Sequence, residues 1–192
     1  ARIEARNAAQ IRPKNAQARL LLAKLAMEQK AYIEALNHLQ IAAESDPDLL
    51  EARVMLGFIY YYGRAYEELA QQVDIANRLA PDDSEVLLMN ARLLEANGDK
   101  AAALEKLDQS VRADPSNAQA IGFMASLAVD LESPDAGIAV IDERLGAVAA
   151  DDAETLRALK ALLLSDSGRK DEAEAEIRRL AEDFPDNERY PE

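Results

Sequence analysis

Four of the chain's seven prolines, Pro13, Pro47, Pro81 and Pro115, follow one another at equal steps of 34 residues. A fixed period in this range marks a repeat architecture, and 34 residues is the length of a unit made of two helices and a turn. The spacing constrains the fold more than the overall length of 192 residues does, because repeats pack mainly on their neighbours and need no single central core. It predicts an all-α stack of helix pairs.

The prolines also set the register. With Pro as residue 32 of each unit, the repeats are 16–49, 50–83, 84–117 and 118–151. The eighth residue, where the two helices of a pair approach, is Ala23, Gly57, Ala91 and Ala125, small every time. The fourth unit ends on Ala149 where the proline should stand, and a slip of two residues follows; the segment 147–154 is expected to hold it as a loop. A fifth unit over 154–187 restores the pattern, with Ala161, Gly168, Ala173 and Pro185 in place. The resulting division is a degenerate fourth repeat over 118–153 and a tail over 188–192. Residues 1–15 read as the second helix of a truncated repeat, so the chain is expected to be a piece of a longer protein.

Local chemistry points the same way. Proline drives the preceding residue out of the α region and so ends a helix, and the turns at Asp46–Pro47–Asp48, Ala80–Pro81–Asp82 and Asp114–Pro115–Ser116 supply polar residues that can cap the next one. Ser116 with Gln119 and Asp82 with Glu85 have capping-box spacing. Ser133 stands before Pro134, and Asn97–Gly98–Asp99 gives a helix stop followed by a start. Eleven helices of about 12–15 residues are predicted, within the ordinary length range.

Composition then excludes whole classes of function. The formal net charge is −14, against nucleic-acid binding, which needs a basic footprint, and against docking on anionic lipid. No cysteine is present, so thiol catalysis and thiolate metal sites are ruled out, and the chain suits a reducing cytosol or a periplasm equally. No apolar run is long enough to cross a membrane. The single histidine, His38, lies on a second helix and reads as a packing or surface residue. No phosphate loop, nucleophile–base arrangement or ligand cluster occurs, so no cofactor, no metal and no enzymatic activity are expected.

The register, with Leu56, Gly57, Tyr60, Ala76 and Pro81 of the second unit at motif positions, resembles the tetratricopeptide repeat family over nearly the whole chain. One departure is consistent. The family's large aromatic at the fourth residue is absent, and Arg19, Arg53, Leu87, Ile121 and Arg157 stand there. The resemblance implies a right-handed α-solenoid whose first helices line a concave groove. Carried onto this sequence, it places Lys24, Met27, Phe58, Tyr61, Tyr62, Leu88 and Arg92 on the groove wall. Helical spacing alone puts Phe58, Tyr61 and Tyr62 on one face and turns Tyr60 away from it, although core packing of these rings is the competing reading. Glu28, Glu95, Asp130 and Asp166 form an acidic row near the groove ends. The carboxylate clamp of the family's chaperone adaptors is missing, since Leu20, Lys24, Met55, Glu85 and Met89 occupy its places.

The chain is therefore expected to be a non-catalytic interaction scaffold that takes a peptide or partner protein of basic plus apolar character. Arginine outnumbers lysine and alanine is abundant, as in GC-rich bacteria, where the resemblance implies roles in envelope assembly, polysaccharide export or secretion. The alternatives are a structural spacer that self-associates end to end through Ile3, Ala8 and Ile11 at one end and Ile177, Leu180 and Phe184 at the other, or an accessory domain of an enzyme whose catalytic part lies elsewhere.

Overall fold

The computed structural model describes residues 14–185. Among them are ten α-helices, one short 3-10 turn and no strand, the all-α class that the proline spacing implies. The helix expected over residues 1–15 lies outside the described residues but for its last two positions, as do Ile3, Ala8, Ile11 and the tail. The described helices are α1 (Ala16–Glu28), α2 (Tyr32–Ser45), α3 (Leu50–Tyr62), α4 (Tyr66–Leu79), α5 (Ser84–Ala96), α6 (Lys100–Ala113), α7 (Ala118–Leu131), α8 (Pro134–Arg144), α9 (Ala150–Asp166) and α10 (Lys170–Asp183).

The chain divides into two compact units, one running to Asn97 and the other starting at Gly98. In the first, α1 to α5 each pack on the next helix, and α3 also packs on α5. In the second, α6 to α10 do the same, with α7 on α9. Each pair is apolar on its facing stripes. Leu20, Ala23, Leu39, Ala42, Ala52 and Leu56 form one core cluster, and Leu69, Val73, Ala76, Val86 and Met89 the next. Tyr60 packs against both clusters, as its spacing relative to Phe58 and Tyr61 requires. A fully buried leucine stabilises by about 1.5–3 kcal/mol, so these stripes hold the pairs together. Gly57 is small for a reason visible here, because a Cβ on it would collide with the side chain of the buried Met89.

After the Pro81 and Pro115 turns the helix starts are capped one residue later than the sequence suggests, whereas the Pro47 turn supplies no cap, since Leu49 stands at the start of α3 without a side-chain bond. Asp83 rather than Asp82 caps α5, accepting from the Glu85 and Val86 amides, and Asn117 rather than Ser116 caps α7. Ser116 instead closes its own turn, donating to Asp114 at 2.6 Å. Ser133, with Pro134 following, caps α8 as predicted. Four of the five first helices, α7 excepted, end in a left-handed residue, Lys30 (φ 58), Arg64 (φ 57), Gly98 (φ 86) and Gly168 (φ 80). At Lys30, Arg64 and Gly168 the following amide reaches back five residues, a Schellman-type closure that satisfies the last carbonyls.

The irregular fourth repeat is handled differently from the expectation. The segment 147–154 is mostly not a loop: a 3-10 turn spans Leu145–Ala147, and α9 begins at Ala150. That makes α9 17 residues long and leaves α8 with 11, outside the predicted range, because α9 takes up the slipped residues as an extra N-terminal turn. At the far end, Leu180 is fully buried and so is unavailable for end-to-end stacking, while Ile177 remains exposed.

The arginines at the fourth position of their repeats have a shared task. Arg19 donates to His38 Nδ1 at 3.1 Å, Arg53 to Gln72 Oε1 at 3.1 Å, and Arg157 to Glu176 Oε1 at 2.6 Å. In each case the acceptor lies 19 residues on, on the second helix of the same repeat. Arg53 also donates to the Ala43 and Pro47 carbonyls. A planar guanidinium with five donors thus bridges the pair where the family uses an aromatic ring. His38 has a structural part here as the acceptor.

A second polar device sits between repeats. Asn77 on α4 and Asn90 on α5 exchange two amide hydrogen bonds, at 3.0 and 2.8 Å. The corresponding residues one repeat earlier, Ala43 and Leu56, both lie in the apolar core cluster.

Candidate functional site: an aromatic face over a buried arginine

The C-terminal half of α3 carries Phe58, Tyr61 and Tyr62, one helical turn apart, so their rings gather on one side. Phe58 and Tyr62 lie with centroids 4.6 Å apart, and Tyr61 meets Tyr62 edge-on at 5.1 Å, geometries that suit the ring quadrupoles. Arg92, reaching over from α5, places its guanidinium 5.2 Å from the Phe58 centroid, 5.8 Å from Tyr61 and 5.9 Å from Tyr62. One cation therefore serves three rings, and cation–π attraction strengthens when the site is shielded from water. Burial pushes the Arg92 guanidinium below its ordinary pKa, opposed by Tyr62 and Glu85. It stays protonated.

Tyr61 donates to Glu95 Oε2 at 3.0 Å. Burial, then this bond and the Glu95 charge, hold its hydroxyl well above the usual tyrosine range. Tyr62 projects outward at 65% exposure, while Phe58 and Tyr61 are half-buried. Beside the rings opens a cavity of about 510 Å³ lined by Tyr32, Phe58, Ile59, Tyr62 and Gly63.

The other expected residues fall in several places. Met27 and Lys24 on α1 are half-buried, and Lys24 is paired with Glu51 at 2.5 Å. Leu88 is fully buried and Arg92 only 4% exposed, so both stand beneath the surface. Of the acidic residues, Glu95 is engaged by Tyr61, Asp130 pairs with Lys100 at 2.6 Å, and Glu28 and Asp166 are exposed. Tyr32, Ile59 and Gly63 escaped the sequence reading. A signal existed, since Tyr32 and Tyr66 hold the same place, the first residue of the second helix, in consecutive repeats. No group of metal-ligating side chains occurs among the described residues, and none of their helices is long and apolar enough to cross a membrane.

No family model matches the chain, and no curated protein sequence does either. Solved structures do. A tetratricopeptide repeat protein from Parabacteroides merdae, 19% identical, aligns over 100% of this chain and 71% of its own with a TM-score of 0.72. PilW, described as a widely conserved type IV pilus biogenesis factor, is 21% identical over 96% of this chain and 84% of its own, with a TM-score of 0.69. YrrB, described as a TPR protein with an unusual peptide-binding site, is 15% identical over 97% of this chain and 95% of its own, with a TM-score of 0.57. At these identities the likeness speaks to fold.

Proposed function

We infer that this chain, which has the tetratricopeptide-repeat fold, is a non-catalytic scaffold that binds a peptide or partner protein through the aromatic face of α3. The observation that carries the reading is the set of three rings anchored over Arg92, with Tyr62 held out to solvent beside an apolar cavity. Rings fixed before binding lose little freedom on binding, and aromatic anchors in a pocket dominate the energetics of protein recognition. In this reading Phe58, Tyr61 and Tyr62 make contact, Met27 and Lys24 extend the wall, and Leu88 and Arg92 support the rings from below. A partner with basic and apolar side chains suits a chain of net charge −14. A bacterial envelope-assembly, export or secretion pathway is the setting we favour, in keeping with the similarity to PilW.

Affinity selection from a random-peptide display library tests the scaffold reading. Enriched peptides should bind the full chain and lose at least about tenfold in affinity when Phe58→Ala and Tyr62→Ala are combined, each anchor counting for about 2 kcal/mol. The helical circular dichroism should not change. Unaltered binding by the double variant would remove the aromatic face from the interface.

A further inference from the structure

We propose that the cavity between the start of α2 and the end of α3 is an anchor pocket for one large apolar side chain, presented by a segment that carries lysine or arginine close by. The proposal rests on the scaffold reading and adds to it a subsite that the groove register does not contain. Its walls are Tyr32 on α2, Phe58, Ile59 and Tyr62 on α3, and Gly63 just beyond the end of α3. Every described wall residue is apolar, aromatic or glycine, so among them the polar side-chain handles are tyrosine hydroxyls. Its volume, about 510 Å³, lies within the range of pockets that enclose a whole small ligand, ample for a leucine, phenylalanine or tryptophan side chain.

The mouth is held open by backbone rather than by loose loops. Ahead of Tyr32, the Lys30 and Ala31 amides close on the Met27 and Ala26 carbonyls, both at 2.9 Å. Beyond Gly63, the Arg64 and Ala65 amides close in the same way on Tyr61 and Tyr60. Tyr32 is 48% exposed, and Ile33 beside it 81%. Two repeats thus hold apolar side chains in water at one rim, a costly arrangement that a matching side chain would relieve.

Charge selects the kind of segment. The two chain stretches around the wall residues, 28–34 and 58–68, carry Glu28, Glu34, Glu67 and Glu68 against Lys30 and Arg64, four carboxylates to two cations. Arg92, the cation under the rings, is buried. A basic segment is drawn to this rim, and an acidic one meets net repulsion.

The closing experiment compares display selections on the full chain with binding of the selected peptides, by fluorescence polarisation, to three variants: Tyr32→Ala, Glu28→Gln with Glu67→Gln, and Phe58→Ala with Tyr62→Ala. The selected peptides should carry a large apolar residue within a few positions of lysine or arginine. Tyr32→Ala should weaken them about tenfold, the charge variant should do so less and only at low salt, and alanine in place of the apolar peptide residue should match the Tyr32→Ala loss. Peptides that bind Tyr32→Ala as tightly as the parent, yet fail on the Phe58/Tyr62 variant, would overturn the pocket and leave the scaffold standing. Absence of any enriched peptide would bring down both. An acidic consensus, or a concentration-dependent dimer of the chain abolished by Tyr32→Ala, would also overturn the proposal, the dimer by assigning the pocket to a second copy.

Discussion

Tyr61 shows what a single hydroxyl does in this site. Its ordinary pKa is 10.0, and in the folded chain burial and the bond to Glu95 raise it. The charged form is therefore disfavoured on folding, so this contribution to stability is complete below about pH 10 and is lost as pH climbs above it. In an alkaline titration followed by tyrosinate absorbance, a late-ionising component should appear, and Tyr61→Phe should abolish it. A titration without a late component would contradict the buried, bonded hydroxyl. The position of Tyr61 on the face was legible from its spacing to Phe58 and Tyr62. Its partner was not, because Glu95 lies a full repeat further on and nothing in a sequence period says which rotamers meet. Arg92 has the same history: register put it on the wall, but only packing of three rings around it puts it underneath.

Helix boundaries were the most legible feature at the level of the elements, since proline, capping residues and left-handed turn residues each act over three or four positions. The fourth repeat was the least legible. Its slip could be absorbed by a longer loop or a longer helix, and the good helix formers of 153–164 (AETLRALKALLL) make the second cheaper. Between α4 and α5, the Asn77–Asn90 amide pair replaces two apolar core residues of the repeat before and lends itself to a double-mutant cycle. Asn77→Ala or Asn90→Leu alone should cost about 1–3 kcal/mol in denaturant unfolding, since each strands half of a partly buried amide pair. The two together recreate the Ala43–Leu56 combination and should cost less than the sum. Strict additivity would show that the amides satisfy themselves with water.

For the molecule as a whole, an excess of 36 acids over 22 bases creates a field that reaches about a Debye length, near 8 Å at physiological salt. A basic peptide should be steered by it. The association rate, measured by stopped flow, should fall about tenfold or more between low and high salt while dissociation changes little; a salt-independent rate would argue that the charge only keeps the chain in solution. The arginines of the fourth position carry a last consequence, for descent rather than for binding. Each has a side-chain acceptor inside its own repeat, so a duplicated or transplanted repeat takes that fastening with it. Arg53 would leave behind its further bonds to the Ala43 and Pro47 carbonyls of the repeat before. The Asn77–Asn90 and Tyr61–Glu95 bonds each join two different repeats and would be cut by any change in their order. A lineage that grows by copying repeats can multiply the first kind of bond freely, whereas the second kind fixes which repeat must follow which.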